Sequence, residues 1–424
     1  MTPDRRTTSG ETRALPAPAR LLLAAVAVCV ACWLGWTSLR VGAARFVAEH
    51  SLRARASQEA ELAAALAPSD PDAHFARAWL FSNAGDVAGA AVAYERALTL
   101  RPRDHVLWLE LGKARERAGD AAGALAALVE AARLAPSYAQ PRWQLGNALL
   151  RSGSREEAFA ELRRAAAGDP SLYPNMLQTI WHASGRDAPA LARAASPRTN
   201  EETLAVVRFL IKQGEPDDGL KLLRESGVEF THESRRALVA DLIAAERFHD
   251  AYGVWTEGRG AVGAFDDGGF EGGARSDEDG FGWRFARDAQ NVRLSLDAAE
   301  PREGAHSLKV EYAGKSESPD AAVSRLIAVE PGARYRLAFW ARTKELVTGG
   351  PPFLEVVSAS KSGGALAESA TLPATSGGWQ EFALEFNAPP AGAVRVALRR
   401  RPCANAPCPA FGGVWLDAFE LRRL

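Results

Sequence analysis

The sequence predicts a multidomain chain: one apolar membrane-spanning helix, an array of paired α-helices, then an all-β sandwich. Three observations carry that expectation. Residues 21–39 hold no charged side chain, several features recur every 34 residues between 68 and 170, and beyond residue 264 helical periodicity gives way to short alternating apolar runs. At 424 residues the chain can bury more than one core. Its 51 basic and 52 acidic residues nearly cancel, so no bulk attraction to nucleic acid is expected.

The apolar stretch runs from Leu21 to Leu39, between Arg20 and Arg40. As a helix it covers about 28 Å, close to the hydrocarbon thickness of a bilayer. Trp33 and Trp36 fall near its far end, where indoles favour the membrane interface. A cleaved signal peptide is the alternative; against it, the run is long and no small-x-small cleavage site follows. Arg5, Arg6, Arg13 and Arg20 precede the span and Arg40, Arg45, Arg53 and Arg55 follow it, so charge leaves orientation open. The cysteines favour one sense. Cys29 and Cys32 lie inside the span, where a thiol behaves as a small hydrophobe. Cys403 and Cys408 flank a short loop and can close a disulfide, which needs an oxidising compartment; two unpaired thiols are the alternative. The expectation is a cytoplasmic tail at 1–20, a span at 21–39 in an inner membrane, and the bulk of the chain in the periplasm.

Prolines close successive units at Pro68, Pro102, Pro136 and Pro170, each 34 residues after the last. Gly85-Asp86, Gly119-Asp120 and Gly153-Ser154 recur in the same phase, as do Ala97, Ala131 and Ala165. Within 104–136, Leu107, Trp108, Leu111 and Ala114 line one helical face, and Gly119 supplies the left-handed residue that ends a helix. Ala124, Leu125, Leu128 and Ala131 form the returning face, which Pro136 terminates.

Trp108-Leu109-Glu110-Leu111-Gly112 and Trp143-Gln144-Leu145-Gly146 resemble the opening of the tetratricopeptide repeat. The resemblance identifies clear repeats at 71–102, 103–136 and 137–170 within an array expected over 45–257. Residues 52–68 read as a second helix without its first partner, and 171–257 as divergent hairpins near 172–195, 201–226 and 232–256. Arrays of this family form a helical solenoid whose groove receives protein segments, so the resemblance implies a protein partner and no catalysis.

Glycine-rich residues 258–263 read as a linker, followed by a sandwich over 264–424. Eight strands are expected, at 291–296, 307–312, 321–329, 334–342, 353–358, 380–386, 394–399 and 414–421, each bounded by turn residues. Asp266-Asp267-Gly268-Gly269-Phe270-Glu271, Gly304-Ala305-His306-Ser307-Leu308-Lys309-Val310, Tyr335–Arg342 and Val414-Trp415-Leu416-Asp417 resemble jelly-roll carbohydrate-binding modules of the galactose-binding type. In that family a structural calcium often ties the first and last strands, and the matching carboxylates are Glu271 and Asp417. The alternative pairs Glu271 with an arginine and Asp417 with backbone amides. Alternation puts Tyr335, Leu337 and Phe339 on one face and Trp340 on the other, so if the first set is core, Trp340 is the best candidate for the carbohydrate platform the resemblance implies. Trp283, Trp379 and Trp415 are expected in the sandwich or at its rim.

Other motifs fail their context. Gly258-x-Gly-x-x-Gly263 follows a helix rather than a strand, and Gly314-Lys315-Ser316 lacks the upstream glycine of a phosphate loop. The seven histidines show no metal-ligand spacing, and Asp277–Asp279 reads as a solvated loop. The leading function is a non-enzymatic, membrane-anchored scaffold for proteins at the cell envelope, tied to polysaccharide assembly or export. The alternative is a glycan-binding sandwich with the helices as spacer.

Overall fold

The computed structural model describes residues 17–272, 280–285, 291–315, 322–403 and 408–424. Residues 1–16, Asp277–Asp279, Ser316 and the first residue of the strand expected at 321 lie outside them. The chain divides into two compact units, Met1–Arg186 and Asp187–Leu424, and the division falls in the turn of the hairpin expected at 172–195.

In the first unit, α1 (Ala17–Ala54) is one unbroken helix with two environments. Its apolar half is long and apolar enough to cross a membrane and is not buried, whereas Ala44, Ala48 and Ser51 are buried. Ala48 packs with Ala63 and Ala64 of α2 (Ser57–Leu66) and with Ala73 and Ala76 of α3 (Pro71–Ala84). The helix expected at 52–68 therefore has a first partner after all: the continuation of the apolar helix. Periodicity missed it because the fully buried positions of that face are the small residues Ala44, Ala48 and Ser51, which contrast weakly with the apolar stretch before them.

The remaining helices alternate as antiparallel hairpins: α4 (Val87–Leu100), α5 (His105–Arg117), α6 (Ala121–Leu134), α7 (Ala139–Arg151), α8 (Arg155–Gly168) and α9 (Tyr173–Ala183). The 34-residue period is a period of contacts. Gly85, Gly119 and Gly153 all take φ between 83° and 88° at the ends of α3, α5 and α7, a conformation that suits glycine. Asp86 and Asp120 then cap α4 and α6 by accepting from the N–H of Gly89 and Gly123, at 2.8 and 2.9 Å. Gly112 lets α6 approach: a Cβ there would lie 2.7 Å from Leu128, and one at Gly146 would lie 2.8 Å from Leu162.

The second unit begins with α10 (Ala188–Ala195), α11 (Asn200–Gln213), α12 (Pro216–Ser226), α13 (His232–Ala244) and α14 (Phe248–Trp255). Among the described residues ten strands follow: β1 (Trp283–Phe285), β2 (Val292–Asp297), β3 (Ser307–Lys315), β4 (Val323–Ala328), β5 (Arg334–Thr348), β6 (Pro352–Ser358), β7 (Ala365–Glu368), β8 (Gln380–Asn387), β9 (Ala393–Arg400) and β10 (Pro409–Arg423). They form two antiparallel five-stranded sheets, in the orders β1-β4-β9-β6-β7 and β2-β3-β10-β5-β8. The three-residue β1 and four-residue β7 have no place among the expected strands; both are sheet edges too short to show alternation.

The sheets enclose a core that includes Trp283, Leu308, Val310, Tyr335, Leu337, Phe339, Val394, Val396, Val414 and Leu416. A second core joins the helices to the sandwich. Leu204, Val207, Leu238, Leu242, Phe248 and Tyr252 pack with Leu326, Ala328 and Ala393 on the outer face of the first sheet. This explains why every residue of β4 is buried, as a strand covered on both faces must be. The glycine-rich stretch 258–263 is part of that joint rather than a free tether. Gly263 donates its N–H to Ala328 at 2.9 Å, and Tyr252 donates its hydroxyl to the Ala261 carbonyl at 3.2 Å. His249 Nε2 lies 2.9 Å from the Val329 carbonyl, and Lys361 Nζ donates to the Ala244 carbonyl at 2.9 Å.

Candidate functional site

With helices against the outer face of the first sheet, the outer face of the second sheet carries the unusual side chains of this unit. Alternation along β5 turns Trp340 and Arg342 outward, opposite Asp417 and Trp415 of β10, while Tyr335, Leu337 and Phe339 fill the core. Trp415, expected inside the sandwich or at its rim, is instead buried on this outer face. Trp283 lies in the core, stacked on Phe270 at 4.6 Å.

Aromatic rings and cations alternate here. The Arg342 guanidinium lies 4.7 Å from the Trp415 ring and 5.5 Å from the Trp379 ring, and Lys309 Nζ lies 5.4 Å from Trp415. Arg302 covers one face of Trp340 at 4.3 Å. Such contacts are worth about 0.5–1 kcal/mol each at exposed sites and more when desolvated. None of the arginine partners is legible in the sequence, because Arg302, Arg342, Trp379 and Trp415 come from four separate segments.

The connection between β2 and β3 lies across this face and is fixed along its length. The Glu300 carbonyl accepts from Trp379 Nε1 at 3.2 Å, and the Glu300 carboxylate pairs with Arg342. Asp417, fully buried, accepts from the N–H groups of Arg302 at 2.7 Å, Glu303 at 3.2 Å and Ala418 at 2.7 Å. Glu271 accepts from the N–H groups of Ala305 at 2.8 Å and His306 at 3.1 Å. Burial pushes the Asp417 carboxyl above its ordinary range, against the pull of its amide donors. The amides of His306 and Ala305 hold the Glu271 carboxyl below its range.

Glu271 and Asp417 flank one glycine: a Cβ at Gly269 would lie 3.5 Å from Asp417 Oδ1 and 3.9 Å from Glu271 Oε1. Three of their four carboxylate oxygens already accept backbone N–H groups, and Glu271 Oε2 faces His306 Nδ1 at 3.4 Å. Backbone amides thus satisfy Asp417, as the alternative reading expects, and they satisfy Glu271 in place of the arginine expected there. Among the described residues no group of three or more His, Cys, Asp or Glu side chains is placed to hold a metal.

Beside Trp340 opens a concavity of about 560 Å³, lined by Gly268, Gly269, Ala338, Glu303, Glu381 and Arg422 among others. Its lining combines small residues, the Trp340 indole and the carboxylates of Glu303, Glu381 and Glu420. Elsewhere in the unit, the Cys403 and Cys408 sulfurs lie at bonding distance, with Cα atoms 5.7 Å apart, and Cys408 Sγ sits 3.1 Å from Arg400.

The first unit offers a different surface. Arg117 of α5 donates to Ser82 of α3 at 2.5 Å, and Arg151 of α7 pairs with Glu116 of α5, so the first helices of successive hairpins lie side by side. Trp79, Lys113 and Asn147 occupy equivalent half-exposed positions along them, 34 residues apart.

No family model matches the chain, and no curated protein matches it. Among solved structures, PilF of Pseudomonas aeruginosa is similar at 17% identity, covering 44% of this chain and 90% of that one, with a TM-score of 0.33. MamA of Desulfovibrio magneticus RS-1 is similar at 15% identity, over 44% of this chain and 92% of that one, with a TM-score of 0.30. A structure described as "CBM4 structure and function" is similar at 13% identity, over 34% and 86%, with a TM-score of 0.25.

Proposed function

We propose that the chain is a non-catalytic scaffold that holds a protein partner on tetratricopeptide-type hairpins at a membrane surface. One observation carries the reading: α1 runs without a break from a bilayer-length apolar stretch into the first packed hairpin. A helix shared by the span and the array gives the array a fixed place at the bilayer. The compartment is the periplasm, where Cys403 and Cys408 close a disulfide, and the setting is polysaccharide assembly or export.

Photo-crosslinking groups placed at Trp79, Lys113 and Asn147 of the full chain test this in cells. One protein trapped from all three positions, and not from the far side of α4 at Val92, is the expected result. No adduct at any of them overturns the partner site. A reporter fused after residue 60 reads the compartment, and a cytoplasmic signal overturns the periplasmic placement.

The concavity beside Trp340 favours a second reading, glycan binding by the jelly roll. An indole beside carboxylates and an arginine suits a sugar ring, whose flat face is apolar and whose edge carries hydroxyls. Affinity electrophoresis of the full chain through polysaccharide gels reads it: retardation is expected, and Trp340→Ala should abolish it while Trp379→Phe does not. Migration unchanged across a broad glycan panel removes this reading.

A further inference from the structure

The membrane-proximal end of the first unit holds a cleft of about 340 Å³. Thr37, Arg40 and Arg45 of α1 form one wall, and Leu66, Pro68 and Asp70 of the α2–α3 turn form the other. Its position along α1 is informative. At about 1.5 Å per residue, Arg40 and Arg45 stand roughly 1.5 and 9 Å beyond Leu39, the last residue of the apolar stretch, which is the depth of lipid headgroups.

The two arginines are pre-set rather than splayed. Nε and Nη2 of Arg40 donate to the Leu66 carbonyl at 3.2 and 2.7 Å, which leaves Nη1 without a partner among the described residues. Arg45 Nε donates to Asp70 at 2.8 Å, yet the Arg45 side chain stays 56% exposed. Arg45 Nη2 also lies 3.7 Å from Asp72 Oδ2, so the free cation of the cleft is Arg40, which has no carboxylate partner among the described residues, and Val41 and Leu66 give it apolar flanks. The flanking side chains Leu39, Phe46 and Leu62 are all more than half exposed, so apolar surface continues past the end of the span. Phosphate oxygens match a guanidinium fork and acyl-chain surface matches the flanks, and a phospholipid supplies both.

We infer that this cleft binds the headgroup of an anionic phospholipid, with Arg40 and Arg45 donating to its phosphate. The inference rests on the membrane reading above. The site holds the first hairpin down on the bilayer, so it sets the tilt of the array as well as its attachment.

Native mass spectrometry of the full chain in detergent, with phosphatidylglycerol or phosphatidylcholine added, tests it. Phosphatidylglycerol should bind more tightly, and Arg40→Ala should weaken it about fivefold while leaving phosphatidylcholine unchanged. Arg40→Lys, which keeps the charge and loses the fork, should fall between. Arg53→Ala, outside the cleft and paired with Glu49, should change nothing. Equal binding of the two lipids, or an unaffected Arg40→Ala protein of native helix content, overturns the proposal. Displacement by excess inorganic phosphate also overturns it, by assigning the site to the free anion. Alkaline extraction of membranes reads anchorage separately. Release there defeats the membrane reading, whereas retention without lipid preference defeats this inference alone.

Discussion

The indole N–H of Trp108 donates to the carbonyl of Pro102 at 2.9 Å, bridging the closing turn of one repeat to the first helix of the next. The same bond recurs one period earlier, where His74 Nε2 lies 2.9 Å from the Pro68 carbonyl, and one period later, where Arg142 Nε donates to Pro136 at 2.6 Å. Three side-chain types perform one task at positions 74, 108 and 142.

Trp108→Phe keeps most of the ring and removes the donor. It should destabilise the first unit by about 1 kcal/mol, the usual net worth of such a bond. Urea unfolding followed by circular dichroism at helical wavelengths reads the change, and an unaltered midpoint would show that water satisfies the Pro102 carbonyl equally well.

Gly112→Val should cost about 1–3 kcal/mol, because the added side chain meets Leu128 in a space with no room for a Cβ. Combining it with Leu128→Ala should recover part of that loss, giving a coupling energy of at least about 0.5 kcal/mol. Simple additivity of the two changes is the outcome that contradicts this packing.

Leu326 belongs to β4 but packs with the helices, so Leu326→Ala should cost about 2–5 kcal/mol and loosen both together. Hydrogen exchange of the full chain reads it. Protection should fall in α13 and α14 and in β4 alike; a loss confined to the strand would mean that the joint is not cooperative.

The two carboxylates beside Gly269 should respond to pH in opposite senses. Glu271, held low by its amide donors, contributes stability above its unfolded pKa that is lost as pH falls through its folded pKa, below about 4.5. Asp417, pushed up by burial, contributes stability below about 3.9 that is lost as pH rises through its folded pKa. The stability gap between wild type and Glu271→Gln should therefore shrink on acidification. That between wild type and Asp417→Asn should narrow as pH rises, and thermal midpoints across the acid range check both.

Dialysis against a chelator should leave the thermal midpoint unchanged, since amide donors occupy the Glu271 and Asp417 oxygens. A rise of several degrees on adding calcium would restore the ion to this position.

The sequence by itself determined the period and the division into a helical region followed by a β region. Prolines, left-handed glycines and capping aspartates act on their own backbone within a few residues, so their spacing shows through without a structure. Alternation in β5 likewise placed Trp340 opposite Tyr335, Leu337 and Phe339, because a strand sends successive side chains to opposite faces. What only the tertiary structure decided are relationships between segments far apart in sequence. The bond shared by His74, Trp108 and Arg142 is hidden by their chemical differences. The seating of Arg342 between Trp379 and Trp415, the strap from Glu300 to His306, and the burial of Leu326 under helices depend on strand order and on which sheet face is covered. Local propensity carries no record of those choices, because they are settled by packing between surfaces that meet only once the chain has folded.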